Sequence, residues 1–171
     1  MKRFIVHLFC IVSIMLCNNA AANFSTQNAK GVLITFLEAV KNSISDEVLS
    51  QAMSLKGIKY KYGGNSPQTG FDCSGFVNYV FNKAANVKLP RTTRGLSRIG
   101  EAVKKQELLP GDLVFFNTRR RAFSHVGIYL GEGEFIHAPR RGSNVRVENM
   151  DTGYWEQHFN GGKRVKETNE D

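Results

Sequence analysis

The sequence predicts one α+β domain in which N-terminal helices pack on a C-terminal antiparallel β-sheet. Two patterns and the composition lead there. Apolar residues recur at three- and four-residue spacing early in the chain, whereas short β-rich runs separated by glycines and charges fill the part after residue 113. Of the 171 residues, 42% are hydrophobic, 11% aromatic and 22% charged, which suits a packed core and excludes disordered, collagen-like and disulfide-dense chains. This length holds one compact unit and leaves no room for a separate binding module of normal size. The net charge of +8 draws the protein toward anionic polymers without saying which.

In chain order, Lys2 and Arg3 precede the apolar run Phe4–Cys17, and Ala20-Ala21-Ala22 supplies small residues for cleavage. Residues 1–22 therefore read as a secretory signal peptide, because the run is shorter than the roughly 20 residues that span a bilayer. The alternative, a lipid anchor at Cys17, requires small residues before the cysteine, and Met15 and Leu16 stand there instead. The expected protein is secreted or periplasmic, with residues 23–171 forming a single domain whose core covers about 50–165. Val32, Leu33, Phe36, Leu37, Val40 and Ile44 mark an amphipathic helix over Gly31–Ile44. Ser45-Asp46-Glu47 begins a second helix that ends near Gly57. Gly63-Gly64 and Gly70 force a loop.

A third helix begins at Asp72 or Cys73, since Phe76, Val80 and Ala84 share one face with Val77 and Phe81 beside them. A short helix follows around Thr92 to Ile99. Leu113–Phe116, Val126–Leu130, Phe135–Ile136 and Val145–Val147 then read as strands.

Once Cys10 and Cys17 leave with the signal, Cys73 is the one thiol of an exported chain and has no internal disulfide partner. Its position in the first turn of a helix favours the thiolate, because the helix N-terminus and a neighbouring imidazolium both lower a thiol's ordinary value of about 8.5. Three histidines remain beyond the signal. His125 and His137 flank Gly131-Glu132-Gly133, and a three-residue hairpin loop there pairs residue i with 264 − i, which puts both imidazoles on one sheet face. A cysteine nucleophile needs this arrangement: one histidine accepts the thiol proton and a second polar group orients the first. Asp72 caps the helix or contacts substrate, and Ser74 and Ser124 flank the catalytic positions as capping or substrate residues.

GFDCSGFV around Cys73, SHVGIYLGEG over Ser124–Gly133 and FIHAP over Phe135–Pro139 resemble the three signature blocks of the NlpC-type cysteine peptidases. These are bacterial cell-wall hydrolases with a papain-like α+β fold. YKYGG from Tyr60 and LPGDLVFF from Leu109 match further blocks, and the resemblance runs from about Ser50 to Val165. It implies that Cys73 is the nucleophile, His125 the general base and acid, and His137 the residue that orients His125. It also implies that Tyr60 shares the oxyanion with the Cys73 backbone N–H. Tyr62 stands where the family more often has Trp. The implied activity is hydrolysis of the bond between D-glutamate and a diamino acid in the murein stem peptide, by a monomer that needs no cofactor. Alternatives are an N-acetylmuramoyl-L-alanine amidase, or a wall-binding module that keeps the fold without turnover.

The remaining candidates carry less. His158, behind Trp155, reads as structural. Three histidines without a cysteine pair or an HExxH helix point to no metal. Arg119-Arg120-Arg121 and Arg140-Arg141 read as solvated loop charges that can attract the anionic envelope, and no interleaved aromatic motif points to nucleic acid.

Overall fold

The computed structural model describes residues 30–36, 45–118 and 121–165. They divide into two units, Met1–Asn42 and Ser43–Asp171. In the first, residues 30–36 are helical. The rest of the expected Gly31–Ile44 helix and the signal segment 1–22 lie outside the described residues. No described helix is long and apolar enough to cross a membrane.

The second unit opens with helix α1 (45–54), which buries Val48 and Ala52, with Leu55 one turn on. A two-strand ribbon of β1 (Asn65–Ser66) and β2 (Gly70–Phe71) leads into α2 (Cys73–Ala85). The α2 helix buries Phe76, Val77, Val80 and Phe81, the stripe that its sequence period predicts. It ends where Asn86 adopts a left-handed φ of 55° and its N–H turns back to the carbonyls of Asn82 and Phe81. The next helix, α3 (Thr93–Leu96), is shorter than the expected 92–99.

The sheet has six antiparallel strands: β3 (Glu101–Val103), β4 (Leu113–Phe116), β5 (His125–Gly131), β6 (Glu134–His137), β7 (Arg146–Asn149) and β8 (Phe159–Arg164). Their spatial order is β3-β8-β4-β5-β6-β7, with helix α4 (Gly153–His158) between β7 and β8 in the chain. The sequence reading anticipates β4, β5, β6 and β7 and misses the β1–β2 ribbon, β3, α4 and β8.

Alternation along the strands sorts two cores. Leu113, Phe115, Val126, Ile128 and Ile136 face the helices, whereas Val114, Phe116 and Phe135 face Met150, Trp155 and Phe159. The helices thus cover one face, as expected, and α4 with its flanks covers part of the other.

The β5–β6 hairpin differs from the expected three-residue loop. Gly131 pairs with Glu134, so the loop is Glu132-Gly133 with φ of 52° and 76°, a pair of positive angles that suits a tight two-residue turn. A register shift between Tyr129 and Gly131 adds one unpaired residue, and Ile128 still pairs with Ile136 and Tyr129 with Phe135. The bulge restores the odd count, so the 264 − i pairing holds beyond it. His125 and His137 therefore share a face. It is the face of Phe116, Phe135 and Trp155, not the one covered by the apolar stripe of α2.

Gly127 lets these strands close. A Cβ there would lie 2.7 Å from the Phe135 ring and 2.9 Å from the Ile136 carbonyl oxygen. Gly127→Ala should destabilise the domain by about 1–3 kcal/mol through overpacking. A thermal melt checks this, and an unchanged Tm would contradict the close approach.

Candidate active site

The first turn of α2 is fixed by one carboxylate. Asp72, in extended conformation at the N-cap, accepts the Gly75 N–H at 2.7 Å and the Gly63 N–H at 3.0 Å. Its two oxygens also receive a forked pair of hydrogen bonds from Arg91, at 2.8 and 3.0 Å. Arg91 further donates to the Ser74 hydroxyl at 2.9 Å and the Gly64 carbonyl at 3.1 Å. The Arg91 pKa is raised, first by its hydrogen bond to Asp72, with a weaker contribution from negative charge at Cys73. Asp72 and Ser74 thus build the helix start; neither lines the cavity described next.

Cys73, half-buried as the first residue of α2, opens onto a cavity of about 510 Å³. Tyr60, Ser124 and His125 line the same cavity, as do Arg140, Arg146, Glu148 and Trp155. Tyr60 is held from both sides: its N–H donates to the Ser143 carbonyl at 2.8 Å, and it bridges to Phe71 in parallel. The Ser124 hydroxyl accepts the Thr118 N–H at 2.9 Å, closing the loop before β5. His125 begins β5, so its imidazole lies at the end of the strand, where it lines the same cavity as Cys73 at the N-terminus of α2.

Beneath the cavity floor, His125 Nε2 and His137 Nδ1 lie 2.7 Å apart. His137 is fully buried, between Phe135 and the edge-on ring of Trp155 at 4.9 Å. Its Nε2 faces Glu148 Oε1 at 3.6 Å, longer than a formed hydrogen bond. Burial lowers the His137 pKa against the opposing pull of Glu148, so the ring is neutral. Glu148 is pulled from 4.5 to about 2, first by His137, then by the indole of Trp155 and by Arg146, which outweigh its burial. Both of those groups donate to its carboxylate.

The tautomers follow from this network. A neutral ring beside a carboxylate carries its proton on Nε2, leaving Nδ1 to accept from His125 Nε2–H. In this tautomer the unprotonated nitrogen of His125 is Nδ1.

Sequence reasoning missed Glu148, Trp155, Arg146 and Arg91. Glu148 pairs with Phe135 across β6 and β7, which puts it on the histidine face, but that register depends on the long connection 138–145. Arg140, expected as a solvated loop charge, is exposed yet lines the cavity; Arg119 and Arg120 lie outside the described residues. His158 stacks at 4.0 Å on Tyr154, which lines the cavity, and contacts its carbonyl at 2.6 Å, without lining the cavity itself. Among the described residues no group of three or more His, Cys, Asp or Glu could hold a metal ion.

A helix-borne thiol set against strand-borne imidazoles places the chain in the papain-like α+β class. The profile of the NlpC/P60 family matches residues 57–164, and the chain belongs to that family. Over 140 residues it is 36% identical to the murein DD-endopeptidase MepH of Escherichia coli, covering 80% of this chain and 52% of MepH. Over 118 residues it is 41% identical to the gamma-DL-glutamyl hydrolase of Bacillus subtilis, covering 68% of this chain and 28% of that protein. The crystal structure of an NlpC/P60 family protein from Bacillus cereus superposes with a TM-score of 0.65 at 33% identity, over 71% of this chain and 40% of that one. The chain spans about half the length of MepH and less of the other two.

The two depressed pKa values set a sign for the pH dependence of stability. Below 6.5 the unfolded chain takes up a proton at His137 that the folded protein refuses, and below 4.5 it does so at Glu148, until the folded carboxylate titrates near 2. Stability should therefore fall as pH falls through both windows. Urea unfolding followed by the fluorescence of Trp155 measures this, and Glu148→Gln should flatten the curve between about 4.5 and 2. An equal slope in wild type and variant would contradict the assigned pairing.

Proposed function

We propose that this protein is a peptidoglycan hydrolase that cleaves an amide bond of the stem peptide through a cysteine acyl-enzyme. The observation that carries the reading is the shared cavity of Cys73 and His125, with the far nitrogen of His125 fixed by His137 at 2.7 Å. His125 Nδ1 takes the Cys73 proton, and the thiolate attacks the scissile carbonyl carbon. The Cys73 backbone N–H and the Tyr60 hydroxyl hold the oxyanion. The imidazolium returns its proton to the leaving amine, the acyl-enzyme remains, and His125 then activates the water that releases the acid. His137 holds the ring in this tautomer, and Glu148 holds His137.

The preferred bond is that between D-glutamate and a diamino acid, a reading supported by the 41% identity to the gamma-DL-glutamyl hydrolase. The similarity to MepH favours a second reading, a bond within the DD cross-link. Residues 1–22 serve as an export signal, and the mature protein acts as a monomer in the envelope.

Digestion of purified peptidoglycan with mass spectrometry of the new ends tests the reading: γ-glutamyl carboxyl ends support the first bond, D-alanyl ends the second, and intact material refutes both. Cys73→Ser should fold and show no turnover, and iodoacetamide should inactivate the wild type by modifying Cys73. His125→Ala should lower kcat at least about a hundredfold, with KM little changed. His137→Asn or His137→Gln should keep part of the activity that His137→Ala loses. Hydrolysis that survives in Cys73→Ser would overturn the nucleophile assignment.

A further inference from the structure

The wall of the catalytic cavity that β6 and β7 supply is cationic. Arg146 lies opposite His137 in the β6–β7 register, Arg140 follows three residues after His137 in the chain, and both line the cavity with Cys73 and His125. Glu148 is the one carboxylate among the lining residues, and its oxygens are taken by Arg146 and the Trp155 indole. Arg146 spends Nε and Nη2 on Glu148, and among the described residues nothing accepts from its Nη1. Arg140 is exposed, and among the described residues no carboxylate pairs with it. The wall therefore keeps an uncompensated positive charge, which a concave surface focuses on whatever enters.

The segment that carries Arg140 is anchored. The Arg140 N–H donates to the Ser143 hydroxyl at 3.3 Å, and that hydroxyl donates back to the Arg140 carbonyl. The Ser143 carbonyl accepts the Tyr60 N–H at 2.8 Å, and Val145 exchanges hydrogen bonds with Gly57 and Ile58 at 2.9 and 2.8 Å. One residue, Ser143, thus ties the backbone of Arg140 to that of Tyr60. The charge is presented from a turn fixed against the catalytic cavity, not from a slack loop.

The chemistry decides which half of the substrate this wall meets. His125 hands its proton to the leaving amine, so groups beside the histidine pair flank the amine half rather than the acyl half. When a γ-glutamyl bond is cut, the amine half is the diamino acid, whose side chain ends either in a bare ammonium, as in lysine, or in a carbon that bears both ammonium and carboxylate, as in diaminopimelate. We propose that Arg140, with Arg146 on the same wall, reads the side-chain carboxylate of the diamino acid and so selects diaminopimelate-type over lysine-type stem peptides. This rests on the reading above that the γ-glutamyl bond is cut. The planar fork of Arg140 suits the two oxygens of a carboxylate, and Nη1 of Arg146 is a further donor. A bare ammonium brought to the same place meets like charge at Arg140, with no uncommitted carboxylate on the wall to offset it.

Three synthetic peptides of the form L-alanyl-γ-D-glutamyl-X test it with the full chain, where X is diaminopimelate, its side-chain carboxamide or lysine. The wild type should prefer the diaminopimelate peptide over each of the others by about tenfold or more in kcat/KM, mainly through KM, as expected for losing a charge-assisted hydrogen bond. In Arg140→Gln both ratios should drop below about threefold, and Arg140→Lys, which keeps the charge without the fork, should be intermediate. Equal wild-type rates on diaminopimelate and its carboxamide, or a preference that persists in Arg140→Gln, would overturn the carboxylate contact while leaving the γ-glutamyl reading intact. Cleavage of none of the three would overturn that reading and the contact with it.

Discussion

A fully buried imidazole has two polar nitrogens to answer, and the placing of His137 between His125 and Glu148 organises one whole face of the sheet. Nδ1 is settled by His125 at 2.7 Å, which requires the two strands to keep one register and the same parity. Nε2 looks to Glu148, which requires β7 to lie beside β6 with Glu148 opposite Phe135. Glu148 in turn needs donors, and it has Trp155 and Arg146. The hairpin bulge, the bare Gly127 and the packing of α4 all serve the same polar chain. His125, at one end of that chain, and Glu148, Arg146 and Trp155, at the other, all line the cavity.

The thiol side is organised independently. A helix start leaves N–H groups without partners, and Asp72 answers one of them while gathering the Gly63 loop and Arg91. The carboxylate so close to Cys73 opposes a thiolate, but the Arg91 fork neutralises it and leaves the helix terminus as the field that the sulfur feels. One ion pair thus does two things: it anchors the loop that presents Tyr60 and removes a competing charge.

Local chemistry was legible in the sequence wherever side chains alone dictate it. The apolar period gave α2 its buried face, the acid before Cys73 gave the cap, and hairpin parity gave the histidines a common side. Parity succeeded although the loop was misjudged, because a two-residue turn plus one bulged residue has the same odd count as three loop residues. Partnership across long connections was not legible. Glu148 depends on a register that no short turn sets. The β8 strand reads FNGGKR, poor in strand formers, and is specified by what its neighbours exclude: a Cβ on Gly162 would lie 2.7 Å from Leu108 and 3.0 Å from the Val103 carbonyl. Which sheet face the helix covers is likewise a tertiary fact, and the opening of Cys73 and His125 onto one cavity has no local signal.

The place of β8 in the sheet has a consequence for biogenesis. It is the last described strand of the chain, yet it lies between β3 and β4 and is the only described strand that pairs with β3. Until residues 159–164 leave the ribosome, β3 and the flank of β4 both lack this partner. Arg164, which grips the buried Asp112 at 2.7 and 2.8 Å, arrives at the same late moment. A nascent chain can therefore pair β4 to β7 in turn, but its sheet is completed and its buried ion pair closed only by the last described strand.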